Sequence, residues 1–233
     1  HIIVYPHLMG SREEVSKGNK VAVVVSAMAG ETNKLNEWAN QLGGSNLNAE
    51  YDVIVSSGEQ VTSGLLALHL NKIGINARSW MAWQIPFVTD NTYTKARITE
   101  VRAAELKASL DEKCVAVVPG FQGVTNNKRI TTLGRGGSDT TAVALAAALN
   151  AERCDIYTDV DGVYTTDPRI VAKARKIDAV TYEEMLEMAS QGAKVLQTRS
   201  VALAMLYDVR LQVLSSFENK PGTLVLNEEE ILE

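Results

Sequence analysis

Short apolar runs rich in valine alternate along this chain with longer segments whose apolar positions recur at helical spacing. Within the runs, apolar and polar residues do not alternate, which is typical of strands buried on both faces of a sheet. We predict strands at Lys20–Ala27, Asn76–Met81, Val115–Pro119, Cys154–Asp159, Val209–Leu214 and Thr223–Leu226. We predict helices at Glu31–Leu42, Gly58–Ile73, Glu100–Glu112, Asp139–Ala151, Tyr182–Ala189 and Thr198–Tyr207. This order predicts an α/β protein with a mostly parallel sheet, and Asn126–Arg129 reads as a hairpin turn.

The length and composition fit one soluble globular domain spanning residues 1–233. A net charge of −5 gives no basic surface, so we expect no nucleic acid partner. The longest apolar run, Val21–Ala29, is too short to cross a membrane, and no secretory leader is visible. Cys114 and Cys154 lie in apolar contexts and are predicted to be buried thiols in a reducing compartment. We therefore expect a cytoplasmic protein without a membrane partner.

The most informative segment is a glycine-rich turn at residues 131–141, which opens directly into an Ala/Leu-rich helix. A helix amino terminus presents free backbone N–H groups and a partial positive charge, so it suits an anion. Arg135 lies inside the turn and adds a planar guanidinium that matches a carboxylate. The alternative is an ordinary structural turn, in which Asp139 and Thr140 serve only as helix caps.

A second segment, Cys154–Arg169, runs from a predicted strand into a turn that carries several acidic side chains. Ligands of open parallel sheets bind beyond the carboxyl ends of the strands, where this turn would lie. A calcium-binding loop does not fit. Tyr157 stands two positions before Asp159, where such a loop has an acidic ligand, and no glutamate stands six positions after Gly162. Asp159 is a candidate to lie near a magnesium–nucleotide complex, whereas the alternative for Asp161 and Asp167 is to stabilise turns.

Three further polar residues have both a structural and a functional interpretation. Glu59 lies in the first turn of a predicted helix, where the helix dipole stabilises any carboxylate. Ser26 ends a buried strand, and Lys194 follows a helix-ending glycine within reach of a phosphate. From position alone, the structural interpretation is sufficient for each of them.

Eight stretches between residues 19 and 226 resemble, in family order, the catalytic domain of aspartokinases in the amino acid kinase family. They are Val24–Met28, Ser57–Val61, Gly120–Gly123, Thr132–Thr141, Tyr157–Tyr164, Asp167–Arg169, Glu183–Ala189 and Gly192–Leu196. The resemblance implies a three-layer αβα sandwich, with an amino-acid-binding lobe at residues 1–150 and a nucleotide-binding lobe at residues 151–233. It also implies that this chain carries no regulatory module of the kind that follows many aspartokinase domains.

The resemblance implies transfer of the γ-phosphoryl group of MgATP to the side-chain carboxylate of L-aspartate, giving 4-phospho-L-aspartate. This step opens the biosynthesis of lysine, threonine, methionine and, in bacteria, diaminopimelate. The residues implied to bind aspartate are Ser26, Glu59, Arg135, Gly136, Gly137 and Ser138. Those implied to surround ATP are Thr158, Asp159, Tyr164, Thr165, Thr166, Asp167, Pro168, Arg169 and Lys194. Asp139 and Lys194 are the implied catalytic residues, Mg²⁺ is held mainly by ATP phosphates near Asp159, and the implied assembly is a homodimer.

The amino end departs from the family pattern. Aspartokinases begin with a strand ending in Lys-Phe-Gly-Gly-Thr-Ser, whose lysine binds the transferring phosphate. When Met9-Gly10-Ser11 is aligned with the end of that motif, Ile3 falls at the lysine position and Tyr5-Pro6 replaces the glycine pair. Only about ten residues separate Gly10 from Lys20, fewer than a parallel crossover needs. A deletion, a degenerate non-catalytic copy, or residues missing from the sequence would each account for this. Two alternatives stay open: a catalytically silent subunit that binds aspartate and nucleotide, and a related kinase acting on acetylglutamate, glutamate, carbamate or UMP.

Overall fold

The computed structural model describes residues 2–5, 14–43, 48–192 and 195–232. The strands are β1 Ile2–Tyr5, β2 Lys20–Val25, β3 Ala77–Ser79, β4 Phe87–Thr89, β5 Ile98–Val101, β6 Val115–Pro119, β7 Gln122–Val124, β8 Ile130–Thr132, β9 Arg153–Thr158, β10 Ala179–Thr181, β11 Leu211–Ser215 and β12 Thr223–Leu226. The helices are α1 Glu31–Gln41, α2 Ala49–Val55, α3 Ser57–Lys72, α4 Ala104–Asp111, α5 Gly137–Leu149, α6 Tyr182–Ser190, α7 Thr198–Tyr207 and α8 Glu228–Leu232.

Eight strands form the central sheet in the order β10-β12-β11-β9-β1-β2-β6-β3. Neighbouring strands are parallel except for the antiparallel pair β11 and β12. β1 lies near the centre, between β2 and β9, although the hydrophobic pattern did not predict it. Because β2, β6 and β9 run in the same direction, the segments that follow them emerge at one edge of the sheet, where ligands of such folds bind.

Alternate residues of the same strand pack into two apolar cores, one on each face of the sheet. On β2, Ala22 and Val24 face the core that α4, α5, α6 and α7 complete. Val21 and Val23 face the opposite core, which α3 closes with Leu66. Both faces of the strand are therefore buried, as the uninterrupted apolar run predicted. The resulting helix–sheet–helix layers confirm the predicted three-layer α/β fold.

A second sheet has the strand order β5-β4-β7-β8. Its antiparallel strands β7 and β8 flank the turn predicted at Asn126–Arg129. The predicted helix at Glu100–Glu112 is wrong at its beginning, because Ile98–Val101 forms β5 and α4 begins only at Ala104. The β-branched ends of β5 pair with β4, and this pairing outweighs the helical pattern. Helices α2 and α8 and strands β4 and β10 had no counterpart among the predicted elements.

The remaining predicted elements are confirmed with small shifts. β6, β12 and α7 have the predicted bounds, while α5 begins at Gly137, two positions before the predicted Asp139. Cys114 and Cys154 are free and buried, as predicted. Within the described ranges, no helix combines the length and apolar character needed to cross a bilayer. The division into an amino-acid lobe and a nucleotide lobe stays a prediction.

Candidate active site

A cavity of about 470 Å³ opens at the carboxyl edge of the central sheet, between the end of β2 and the start of α5. Its lining consists of Ser26, Ala27, Thr32, Asn36, Tyr51, Val55, Glu59, Thr94, Phe121, Thr132, Gly134, Arg135, Gly136, Gly137, Ser138 and Asp139. Every residue predicted to bind aspartate is in this lining, and so is Asp139. The fold therefore brings three separate motifs of the sequence to one cavity.

The glycine-rich turn reaches the cavity through a left-handed start of α5. Gly136 is the N-cap residue with φ 67°, a backbone conformation that favours glycine. Among the described residues no side chain caps the helix, so the interpretation of Asp139 and Thr140 as caps is wrong. Asp139 lies in the first turn, and the Thr140 hydroxyl donates to the Gly136 carbonyl oxygen at 3.0 Å. An uncapped helix amino terminus that lines a cavity suits an anion.

Close contacts hold this turn on two sides, one with backbone and one with a side chain. A Cβ added to Gly120, which follows β6, would lie 2.8 Å from the Ser138 Cα, so only glycine permits this approach. On the other side, a Cβ on Gly136 would lie 2.1 Å from the Gln197 Cγ, beside the amino end of α7. The turn is therefore fixed between β6 and α7.

Glu59 is the most enclosed charge of the cavity, with an exposed fraction of 3%. Its Oε1 accepts a hydrogen bond from the Ala27 N–H at 3.1 Å, while Oε2 is buried without a hydrogen-bond partner among the described residues. Burial raises the pKa of Glu59 to about 7. A buried carboxylate oxygen without a partner is costly, and a cationic group of a ligand would satisfy it.

Asp139 and Arg135 add one charge of each sign to the cavity. Asp139 is half-buried in the first turn of α5, and burial raises its pKa to about 6. Arg135 is exposed, and no hydrogen bond or ion pair joins it to any described residue. The cavity can therefore hold a small ligand that carries both an ammonium group and a carboxylate.

The residues predicted to surround a nucleotide begin at the end of β9, outside this lining. The Thr158 hydroxyl donates to Asp159 Oδ1 at 3.2 Å, and the Thr158 carbonyl oxygen accepts from the Ser216 N–H at 2.8 Å. Asp159 is exposed and does not line the cavity that Arg135 lines. In the part of the chain that the structure describes, no cluster of three or more His, Cys, Asp or Glu side chains is arranged to hold a metal.

Beyond Asp159, the acidic side chains of the loop are bound by other residues of the same loop. The Tyr164 hydroxyl donates to Asp161 Oδ1 at 2.9 Å, and the Arg169 guanidinium binds Asp167 Oδ2 at 2.9 Å. Asp167 Oδ1 also accepts from the Arg169 N–H at 2.9 Å, which supports its turn-stabilising interpretation. Exposed residues of the same loop are Thr165, Thr166 and Pro168. The predicted catalytic Lys194 lies outside the described residues.

Sequence reasoning missed the cavity wall that α1 and α2 form. Thr32 and Asn36 of α1 and Tyr51 of α2 line the cavity, and the Tyr51 hydroxyl donates to Asn36 Oδ1 at 2.8 Å. The position of Thr32 in the first turn of a helix that closely follows Ser26 was a usable signal. Nothing in the local sequence points to Thr94, which reaches the cavity only through the tertiary fold.

Comparison with known proteins gives a consistent result. The profile of the amino acid kinase family matches residues 11–215. The aspartate kinase Ask_LysC of Stutzerimonas stutzeri is 56% identical over 217 residues, which cover 93% of this chain and 53% of that protein. The crystal structure of aspartate kinase from Synechocystis has a TM-score of 0.85 at 41% identity, over 97% of this chain and 40% of that one. The crystal structure of E. coli aspartokinase III in complex with aspartate and ADP has a TM-score of 0.82 at 30% identity. The match covers 97% of this chain and 64% of that one.

These similarities cover nearly all of this chain but only part of each relative. The chain spans about half the length of the curated relatives that it matches. The family profile, the aspartokinase relatives and the shared fold confirm the resemblance carried by the sequence motifs. This chain therefore belongs to the amino acid kinase family, and within that family it is similar to the aspartokinases.

Proposed function

We propose that this chain is an aspartate kinase domain, which transfers the γ-phosphoryl group of MgATP to the side-chain carboxylate of L-aspartate. The observation that carries the proposal is one cavity lined by Glu59, with a buried oxygen unpartnered among the described residues, and by Arg135. A ligand that satisfies both needs a cation and a carboxylate, and an α-amino acid has both. Support also comes from E. coli aspartokinase III, a structural relative solved with aspartate and ADP.

Each charged group of aspartate has a complementary group in the cavity. We assign the α-ammonium group to Glu59 and one carboxylate to Arg135, whose planar fork can bind both oxygens. The second carboxylate is assigned to the amino end of α5, beside Ser138, where backbone N–H groups suit an anion. Ser26, at the end of β2, completes the polar lining.

The proposed reaction needs no general base, because the side-chain carboxylate of aspartate is already ionised at neutral pH. One of its oxygens forms a bond to the γ-phosphorus while the bond from that phosphorus to the β–γ bridging oxygen breaks, and ADP leaves with that oxygen. The protein aligns the two reactants and neutralises charge on the γ-phosphoryl oxygens. We assign the positive charge that neutralises these oxygens to the uncapped end of α5 and, by family position, to Lys194. Asp139 is assigned to orient the cationic groups.

We assign the nucleotide to the loop beyond β9, with Thr158, Asp159, Tyr164 and Arg169 around it and residues 165–168 at its border. The exposed carboxylate of Asp159 fits a magnesium ion that is held mainly by ATP phosphates, since such ions take one or two protein carboxylates. When bound, this ion would neutralise phosphate charge. No residue of this loop lines the amino-acid cavity, so the proposal gives the two substrates different sets of residues.

The wider assignments follow from the aspartokinase similarity. The product, 4-phospho-L-aspartate, would enter the biosynthesis of lysine, threonine and methionine, and of diaminopimelate in bacteria. We assign the protein to the cytoplasm as a homodimer.

A panel of acceptors tests the proposal. ADP release from MgATP would be measured with L-aspartate, N-acetylglutamate, glutamate, carbamate and UMP, and the acyl phosphate would be trapped with hydroxylamine. We expect the highest turnover with aspartate. Succinate is the matched ligand control, because it keeps both carboxylates but lacks the ammonium group assigned to Glu59, and we expect it not to bind. Higher turnover of another acceptor would overturn the proposal.

A second candidate is a subunit that binds both ligands without catalysis. It is favoured by Ile3, which falls at the position of the family's phosphate-binding lysine. Loss of one contact that stabilises the transition state costs about 10²–10³ in rate. Calorimetry with aspartate and with MgATP, run beside the turnover assay, separates the two candidates. Tight binding of both ligands without ADP release would favour the silent subunit, whereas ADP release with aspartate would exclude it.

A further inference from the structure

Asp52 of α2 is a fully buried carboxylate that has no basic partner among the described residues. Its oxygens accept hydrogen bonds from the Thr94 N–H at 3.0 and 3.1 Å. They also accept from the N–H and the hydroxyl of Thr132, both at 2.8 Å. Burial of a charge is costly unless hydrogen bonds satisfy it, and here donors from two distant segments do so. This carboxylate therefore fixes two parts of the chain to α2.

Thr94 is held in a conformation that its side chain disfavours. Its φ of 66° lies in the left-handed region, where a β-branched residue is an outlier. Thr94 lines the cavity, and its hydroxyl oxygen is buried without a hydrogen-bond partner among the described residues. Backbone strain of this kind concentrates at binding sites, where the surrounding structure holds it in place. The hydrogen bonds that the Thr94 N–H donates to Asp52 supply that restraint and leave the Thr94 hydroxyl for a ligand.

Thr132 connects the same carboxylate to the arginine turn. It is the last residue of β8 and lies three positions before Arg135. Between them, Gly134 packs so closely on the Thr94 segment that an added Cβ would lie 3.2 Å from the Thr94 carbonyl oxygen. Asp52 does not line the cavity itself, whereas both of its donor residues do. Its influence on a ligand would therefore act through the two threonines.

We propose that Asp52 is a positioning residue for the amino-acid substrate, which it serves by fixing the Thr94 hydroxyl and the Arg135 turn around one carboxylate of the ligand. This inference rests on the proposed function, because it concerns the affinity of the cavity for aspartate. A purely structural role would lower stability without weakening one ligand selectively. The affinities for aspartate and for ADP, measured on the same folded variant, distinguish the two roles.

The test begins with Asp52→Asn in the whole chain. The variant keeps one oxygen acceptor but removes the negative charge and places an NH₂ group opposite either the Thr132 N–H or the Thr132 hydroxyl, so the side chain no longer holds both donor residues with charge-assisted hydrogen bonds. By calorimetry we expect the Kd for aspartate to rise at least about tenfold, while the Kd for ADP stays within about twofold. Asp155→Asn is the matched control, since Asp155 is 1% exposed but pairs with Arg153 away from this cavity. We expect it to leave the Kd for aspartate unchanged.

A second pair of variants keeps the test decisive if Asp52→Asn does not fold. Thr132→Val removes the hydroxyl that donates to Asp52, whereas Thr132→Ser keeps it. We expect Thr132→Val to raise the Kd for aspartate about threefold. We expect Thr132→Ser, which keeps the hydroxyl, to leave that Kd close to the value of the unchanged chain. Hydrogen exchange adds a readout without ligand, because amides at 92–96 and 131–136 should exchange faster when this anchor is weakened.

The outcomes separate this inference from the proposed function. A folded Asp52→Asn overturns the inference if its Kd for aspartate stays within about twofold of the unchanged chain, or if affinities for aspartate and ADP fall together. Equal aspartate affinities of the two Thr132 variants would overturn it as well. If the unchanged chain binds ADP but not aspartate, the proposed function fails and takes this inference with it. If the unchanged chain and Asp52→Asn bind aspartate equally, only the inference fails.

Discussion

Glu59 and Arg169 both carry charges that we assign to ligand binding, but the protein surrounds them in opposite ways. Glu59 is 3% exposed, and one of its carboxylate oxygens has no partner among the described residues. The side chain of Arg169 is 88% exposed and already pairs with Asp167. Charges in an enclosed site interact strongly because little water screens them, whereas exposed ion pairs contribute little. The amino-acid cavity is thus organised before its ligand arrives, while the loop beyond β9 depends more on charges that the nucleotide brings.

The difference originates in how each region is attached to the fold. The cavity is lined by the first turns of α3 and α5, which are anchored in the two apolar cores. In the loop beyond β9, Val163 is buried in the core, and the rest is held by an isolated bridge between Tyr164 and Lys176 and by hydrogen bonds of Thr165 with Arg175. Substitutions in the cavity should therefore have large effects that depend on pH. Those in the loop should have small effects that depend on salt.

Neutralising Glu59 is the change that would break this comparison most directly. Glu59→Gln keeps the shape of the side chain and an acceptor for the Ala27 N–H, but removes the negative charge assigned to the ligand ammonium. We expect about 100-fold weaker aspartate binding, in the range measured when one partner of a buried charge pair is truncated, with ADP binding unchanged. Calorimetry checks this. Glu183→Gln is the matched control, because Glu183 is also an acid in the first turn of a helix but is exposed. Equal losses in both variants would remove the distinction.

The glycine turn tests whether the cavity wall is sterically fixed. Gly136→Ala puts a Cβ into a left-handed residue and against Gln197. We expect the free energy of unfolding to fall by about 2 kcal/mol, compared with about 1 kcal/mol for Gly74→Ala. Gly74 is the matched control, since its φ is also positive, at 83°, but nothing lies within 4 Å of an added Cβ. Urea denaturation measures both losses, and adding Gln197→Ala should partly restore the stability that Gly136→Ala loses. Equal losses at the two glycines would mean that the cavity wall accommodates the added Cβ.

The pKa of Glu59 makes aspartate binding depend on pH. With a pKa of about 7, roughly a tenth of Glu59 is ionised at pH 6 and roughly nine-tenths at pH 8. The ligand ammonium binds the ionised form, so the affinity for aspartate should rise about tenfold over this range, with release of a proton on binding. Calorimetry in buffers of different ionisation enthalpy counts that proton. Glu59→Gln should flatten the profile, and an affinity of the unchanged chain that falls with pH would contradict the assignment.

The fold was predictable where strands are encoded locally. Val115–Pro119 and Thr223–Leu226 are short apolar runs typical of a buried strand, and both have the predicted bounds. The strand Ile98–Val101 was not predictable in this way. Its two apolar ends are half-buried and flank polar residues, so it becomes a strand only through its pairing with β4. Ala179–Thr181 is too short to give any period at all.

The candidate site shows the same limit. Residues 135–139 lie in one contiguous motif, so sequence alone indicated that they act together. Asp52 and Thr94 were missed, since the hydrogen bonds of Asp52 reach residues 42 and 80 positions away. An aspartate in a short helix gives no sign that it will be buried. The roles of the site residues, including Lys194, stay predictions.

Arg169 should give the smallest effect, and its size sharpens the contrast between the two regions. Arg169→Ala removes an exposed guanidinium that already forms an ion pair with Asp167. We expect ADP binding to weaken only about threefold at low salt, because exposed ion pairs contribute less than about 1 kcal/mol. The loss should vanish near about 0.5 M salt, where screening acts within a few ångströms. Lys173→Ala is the control, an exposed cation of the same loop that we do not assign to the nucleotide. A loss well above about tenfold, insensitive to salt, would mean that the nucleotide closes this loop and shields Arg169 as fully as the cavity shields Glu59.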